Sequence, residues 1–191
     1  MNTESLAELL DEVAAFVFDG EAGAARLAPL LDRWNEEVGQ IREDDAQREL
    51  LQAMRTDWAL CDVPTHGGRP WLAAALEGAL GPVPDRWRVL ARNHVGLFEI
   101  FPGKVSWFRD LRAGLCVPVL DPLPLQPEEA GPAALWEARV VLDDGTAVLA
   151  RAPLACQLRG VDLLNHHILG LAVCHGVLST LPQLLLGCRV F

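Results

Sequence analysis

The sequence predicts an α+β protein, in which an N-terminal helical region packs on a small antiparallel sheet and a C-terminal apolar helix completes the core. Three observations predict this class: apolar residues at helical spacing between Leu6 and Leu60, short alternating segments with tight turns after residue 94, and an uncharged apolar run near the end of the chain. We expect residues 1–93 to form the helical region and residues 94–191 the sheet and the closing helix, folding as one cooperative unit. At 191 residues, 51% of them hydrophobic, the chain is long enough for a substantial core.

Several helical segments are predicted before the sheet. Ser5 and Glu8 fit a capping box, with Ser5 as the N-cap of the first helix. Gly39 follows the apolar stripe of the second helix and predicts its C-terminal stop. Because the connections are short, we expect the first three helices to form an antiparallel bundle. The predicted helices span residues 6–18, 22–38, 45–60, 71–80 and 85–92.

The strands are predicted in two turn-linked groups. A meander comes first, with a type II turn at Pro102-Gly103. A hairpin follows around Asp144-Gly145, a residue pair that favours a tight two-residue turn. The pattern predicts a small, strongly bent antiparallel sheet of the kind found in SH3-like barrels. The predicted strands cover residues 97–101, 104–111, 115–120, 134–142 and 147–152.

Alternation within the second strand assigns its side chains to two faces. Trp107 and Arg109 share one face, and Phe108 lies on the other. Glu99 and Arg109 are placed to form a cross-strand ion pair. We expect Trp107 and Trp136 to pack in the core where helices and sheet meet, although an aromatic platform on a small barrel is also a common peptide-binding device.

Candidate binding residues are expected at the edges of the sheet, where two loops converge. One loop covers residues 61–70 and the other residues 121–132, and both are rich in turn-forming residues. The backbone amides of residues 66–69 suit an anion, but the preceding strand and the lysine of a phosphate-binding loop are missing. The candidate binding residues are His66, Arg69, Trp107, Arg109 and Trp136.

Composition and charge limit the classes of partner. The net charge of −10 and the pI near 4.9 argue against a nucleic-acid partner, which would require a basic face. Residues 1–50 hold 13 acidic and 4 basic side chains, which predicts a solvated acidic face on the N-terminal helices. The odd number of cysteines, five, and an acidic, helical N-terminal stretch unlike a secretory signal favour a cytoplasmic protein with free thiols.

No motif predicts a catalytic centre, a metal site or a cofactor. His167 and Cys174 share a helix face but lie about 10 Å apart along the axis, too far to hold one metal ion. Cys61 and His66 with Asp62 suggest a thiolate–imidazole–carboxylate set, but such a set needs a geometry that proximity in sequence does not ensure. We therefore expect Cys61 to be a buried, inert thiol.

The C-terminal part of the chain is predicted to be an apolar helix over residues 161–186. Residues 168–188 contain no Asp, Glu, Lys or Arg. A membrane span needs about 20 apolar residues, so membrane association through residues 168–186 is an alternative. Pro182 and the polar residues within the run oppose insertion. A core helix that covers the open face of the sheet is the main expectation, with docking to a partner as a further alternative.

Five short stretches of the chain also match a pattern known from other proteins. They are residues 57–62 (DWALCD), 67–69 (GGR), 97–100 (LFEI), 102–103 (PG) and 109–114 (RDLRAG). Together, over residues 50–120, they resemble uncharacterised bacterial proteins with a helical part before a small β-domain. Some of those proteins carry a SEC-C zinc motif, whose cysteine cluster this chain lacks. The resemblance implies this architecture and neither an activity nor a zinc site.

The sequence therefore predicts a non-enzymatic bacterial protein that acts by binding another protein, as a regulator or adaptor. The acidic helical surface, the proline-rich loop over residues 121–132 and the apolar C-terminal run favour this function. One alternative is an enzyme with a thiol–imidazole site near Cys61, His66 and Arg69. Membrane association through the C-terminal run is the other. The sequence does not predict an oligomeric state.

Overall fold

The computed structural model describes residues 3–42, 47–65, 67–101, 105–111, 113–114, 116–119, 135–143 and 145–156. Within these residues, helices are followed by a small closed barrel, so the predicted α+β class is confirmed. The apolar helix predicted over residues 161–186 and the turn predicted at Pro102-Gly103 lie outside the described residues.

The helical region follows the predicted segments with shifted ends. Ser5 lies inside the first helix instead of capping it, because the helix already includes Thr3. Asp19 caps the second helix by accepting a hydrogen bond from the Gly20 backbone N–H at 2.8 Å. Gly39, with φ of +114°, follows this helix as predicted. The helices are α1 (Thr3–Phe18), α2 (Gly20–Glu37), α3 (Arg48–Cys61), α4 (Trp71–Leu76) and a 3₁₀ helix (Asp85–Arg92).

The sheet contains six described strands, five of which close into a barrel. The order around the barrel is β1-β2-β3-β5-β4, and β4 pairs with β1 again, while β6 extends the sheet along the end of β4. The tight hairpin predicted at residues 144–145 is confirmed, since Asp143 pairs with Thr146 and Gly145 has φ of +83°. The strands are β1 (Asn93–Phe101), β2 (Ser106–Asp110), β3 (Cys116–Val119), β4 (Leu135–Asp143), β5 (Thr146–Leu149) and β6 (Leu154–Cys156).

The sheet is mixed, whereas the sequence predicted an antiparallel one. Among the described pairings, only β3 and β5 run parallel, and they meet at the single residue pair Val119 and Ala147. The reason is topological: the chain leaves β3, passes along β4 and turns back, so β5 arrives in the direction of β3. This parallel pairing closes the barrel.

Among the described residues, two apolar clusters form the core. The first fills the barrel and contains Phe98 and Phe108, whose rings lie 5.4 Å apart between centroids. The second joins both parts of the chain, because residues of α1 and α3 pack against Val141 of β4 and Val148 of β5. Alternation explains the division, since successive side chains of β4 and β5 enter the barrel or face the helices in turn.

Two arginines from the barrel side bind carboxylates of the helical region. Arg151, which follows β5, donates to both oxygens of Asp57 on α3, from Nε at 2.7 Å and from Nη2 at 3.0 Å. Arg139 on β4 binds Asp62 through both terminal nitrogens of its guanidinium group. Burial raises the pKa of the Asp57 carboxyl, and the hydrogen bonds and charge of Arg151 oppose that rise. Arg151 is therefore the main group that stabilises the ionised form of Asp57.

Candidate functional site

The most exposed apolar side chains of the barrel lie together at the tip of the β1–β2 hairpin. Phe101, Val105 and Trp107 are each 43–44% exposed, and Phe101 is paired directly with Trp107 across the two strands. Alternation causes this exposure: Phe108 points into the barrel and is fully buried, so Trp107 must point outward. We call Phe101, Val105 and Trp107, together with Glu99 and Arg109, the hairpin surface.

An ion pair borders the aromatic part of the hairpin surface. Arg109 forms the predicted ion pair with Glu99 on the neighbouring strand, which confirms that expectation. The guanidinium group of Arg109 also lies over the ring of Phe101, at 5.4 Å from its centroid. Because Glu99 compensates the charge of Arg109 locally, the surface combines apolar area with a pair that carries no net charge.

The third strand extends the same face of the sheet. Pro118 is paired with Trp107, and Cys116 is paired with Arg109. Paired residues of an antiparallel sheet project from the same face, so Pro118 and Cys116 flank the hairpin surface. Cys116 is an exposed free thiol. It offers a chemical reporter of whether this face is covered.

The structure brings together two of the five candidate binding residues, Trp107 and Arg109. Trp136 is paired with Phe98, whose ring fills the barrel, so Trp136 projects from the opposite face to Trp107. Arg69 lies in the helical region, where it forms an exposed ion pair with Glu77. His66 lies outside the described residues.

Sequence reasoning placed Trp107 in the core, and this was wrong. It also missed Phe101 and Val105 as surface residues. The alternation in β2 separated Trp107 from Phe108 correctly, but it did not show which of the two faces the barrel interior. That choice depends on the closure of the sheet, and no local pattern contains it.

Cys61 has the properties of the inert thiol that the sequence predicted. Its side chain is buried at the end of α3, and burial raises the pKa of the thiol to about 12, although the nearby charge of Arg139 opposes the rise. At neutral pH the thiol is therefore protonated, and a protonated thiol is a poor nucleophile.

A histidine–aspartate pair lies at the other end of β1, and sequence reasoning did not identify it. The half-buried His94 ring binds the fully buried carboxylate of Asp110 through Nε2. The second oxygen of Asp110 accepts a hydrogen bond from the Ala113 backbone N–H at 3.2 Å. The pair thus holds the turn after β2 against the start of β1. A buried carboxylate can orient an imidazole for proton transfer, but a nucleophile or substrate pocket beside the pair would be needed for catalysis.

Gly96 is the residue that lets Asp110 approach β1 closely. A Cβ atom at this position would lie 2.7 Å from Oδ2 of Asp110 and 2.9 Å from the ring of Phe98. We expect Gly96→Ala to lower the free energy of unfolding by about 1–3 kcal/mol, because this region is already fully packed. Urea denaturation measures the effect, with Gly67→Ala as the control. The nearest contact of a Cβ at Gly67 is 3.5 Å, and equal stabilities of the two variants would contradict the prediction.

The described residues contain neither a metal-binding cluster nor a helix that could span a membrane. They include no group of three or more His, Cys, Asp or Glu side chains that suits a metal ion. Within the same part of the chain, none of the helices has the length and apolar character required to cross a bilayer. His167 and Cys174, considered above as ligands, lie outside this part of the chain.

Comparisons with known proteins yield no match. No protein-family model matches the chain, and the same holds for curated proteins and for solved structures. The resemblance to bacterial proteins with a SEC-C motif therefore stays a prediction. The function has to be inferred from the chemistry of this chain alone.

Proposed function

We propose that this protein acts by binding another protein through the hairpin surface, and that it is not an enzyme. The observation that carries the proposal is the contiguous exposure of Phe101, Val105 and Trp107 on one face of the barrel. Large aromatic side chains are enriched in the centres of protein interfaces, because they bury much apolar area at a low cost in conformational entropy.

The chemistry of the hairpin surface favours a partner segment with few charges. The charges of Glu99 and Arg109 compensate each other, so an unpaired charge on the partner would lose its hydration without gaining a counter-ion. Apolar side chains of the partner would instead cover the rings of Phe101 and Trp107. Pro118 and Cys116 on β3 extend the area available for contact.

Substitution of a valine in the hairpin surface should weaken partner binding strongly. We expect Val105→Asp to reduce the amount of specific partner captured from a lysate of the source organism by about 30-fold, the effect of losing roughly 2 kcal/mol at an interface hot spot. Capture by tagged full-length protein, quantified by mass spectrometry, measures this. Trp107→Ala should reduce capture of the same partner.

Val38→Asp is the matched control for this experiment. Val38 is also an exposed valine, 63% accessible, but it lies at the end of α2, away from the barrel. The variant Val38→Asp should therefore leave capture of the partner unchanged. Loss of the partner in both aspartate variants, or retention in both, would contradict the proposal. So would the absence of any partner that depends on Trp107.

A further inference from the structure

We propose that residues 168–188 of the same chain, called the run below, cover the hairpin surface in the free protein, and that the partner displaces them. This inference rests on the proposed function, because it concerns the regulation of the same surface. It is supported by the path of the chain after β6, by the reach of the connection, and by the chemistry of residues 168–188 and of the hairpin surface.

The strand register places the end of β6 near the hairpin surface. At the end of β1, Phe98 to Phe101 pair with β2, and Phe98 also pairs with the start of β4. Trp136 at the start of β4 is paired with Phe98 on one side and with Ala155 of β6 on the other. Chain that follows Cys156 therefore leaves the sheet at the end of the barrel that carries Phe101 and Trp107.

The connection to the apolar run is long enough to reach this surface. Eleven residues, 157–167, separate Cys156 from Ile168. At about 3.3–3.6 Å per residue they can span up to about 40 Å. A nine-residue strand such as β1 is only about 30 Å long, so the run can reach either end of the barrel. A tether this short also gives the run a millimolar effective concentration at the surface.

The two surfaces match in charge. Residues 168–188 contain no Asp, Glu, Lys or Arg and include seven leucines. The hairpin surface exposes aromatic and aliphatic side chains beside an ion pair that is already compensated. Contact between them buries apolar area on both sides and leaves no charge without a counter-ion.

Cys116 and the cysteines of the run allow a direct test in the unmodified chain. The run carries Cys174 and Cys188, and Cys116 flanks the hairpin surface. A short bismaleimide added to dilute full-length protein should produce an intrachain cross-link from Cys116 to Cys174 or Cys188, identified by peptide mass spectrometry. Absence of both cross-links would overturn the proposal. Cross-links found only between two chains would also overturn it, since a second copy would then be the occupant.

A second measurement uses charge to release the run. Maleimide should label Cys116 about tenfold faster in the full-length variant Leu184→Asp/Leu185→Asp than in the unmodified chain, if the surface is covered about nine-tenths of the time. The matched control is Leu123→Asp/Leu125→Asp, which alters the segment that follows β3 and should leave the rate unchanged. Acceleration by the control variant instead would overturn the proposal. Cys61 must stay unreactive in every variant, which shows that the fold is intact.

Failure of this inference can be distinguished from failure of the proposed function. If Cys116 reacts at one rate in all chains while Val105→Asp still loses its partner, the self-contact is refuted and the proposed function stands. If the run protects Cys116 but no partner depends on Trp107, the proposed function fails. If Leu184→Asp/Leu185→Asp makes Cys61 reactive, this variant has lost its fold. The cross-linking result in the unmodified chain then decides whether the self-contact exists.

Discussion

Replacement of Arg151 by methionine is expected to lower the free energy of unfolding by about 3–5 kcal/mol, because it leaves the carboxylate of Asp57 buried without its counter-ion. The side chain of Asp57 is only 3% exposed, and Arg151 supplies it with two hydrogen bonds. Methionine keeps most of the length of the side chain, so the loss reports the charge and the hydrogen bonds more than the packing. Urea denaturation followed by tryptophan fluorescence measures it.

The loss of unfolding free energy caused by Arg151→Met should depend on pH. Burial already raises the pKa of Asp57 in the folded protein, and Arg151 opposes that rise. Without Arg151 the folded pKa moves further above the unfolded value. A carboxyl shifted in this direction contributes stability that is present below its unfolded pKa and is lost as pH rises through its folded pKa. The deficit should therefore be larger at neutral pH than at mildly acidic pH.

Arg33→Met provides the matched control for the arginine substitution. Arg33 pairs with Glu37 on α2, and both side chains are about half exposed. An exposed pair of this kind contributes at most about 1 kcal/mol, so the variant should be nearly as stable as the unmodified chain. Equal losses for the two arginine variants would show that Asp57 does not depend on Arg151.

Replacement of Phe108 by alanine should destabilise the barrel by about 3–5 kcal/mol, the range typical of deleting a buried ring. Phe108 is fully buried and contacts Phe98 at the centre of the barrel cluster. Its removal leaves a cavity between strands whose positions are fixed by hydrogen bonds, so the site cannot collapse fully. Thermal or urea denaturation measures the loss.

The same substitution at Phe101 is the control. Phe101 lies on the same hairpin but is 43% exposed, and the guanidinium group of Arg109 lies over its ring. Phe101→Ala should cost about 1 kcal/mol or less, since an exposed cation–π contact is worth about 0.5–1 kcal/mol. A loss at Phe101 as large as that at Phe108 would show that the assignment of the two faces is wrong.

Features encoded locally were predicted well from the sequence. Apolar spacing located α1, α2 and α3, and the residue pair at 144–145 located the tightest hairpin. The ends of the helices were less accurate. Ser5 was taken as an N-cap, but Thr3 is already helical, and several polar residues in succession can cap equally well.

Features that depend on distant parts of the chain were not predicted. The parallel pairing of Val119 with Ala147 depends on the path of the chain between β3 and β5. Arg139 and Arg151 resemble ordinary surface arginines in sequence, and only the docking of the helices on the barrel makes them counter-ions of the half-buried Asp62 and the buried Asp57. The hairpin surface was identified only in part, because alternation shows which side chains share a face of the sheet but not which face is buried.

The long-range arginine contacts can form only late during synthesis of the chain. Asp57 precedes Arg151 by 94 residues. At a rate of synthesis of about 5–20 residues per second, Arg151 is therefore added roughly 5–20 s after Asp57. Throughout that interval α1 and α3 have no barrel to cover their apolar stripes. The net negative charge of residues 1–50 favours the solubility of the nascent helical region during that interval.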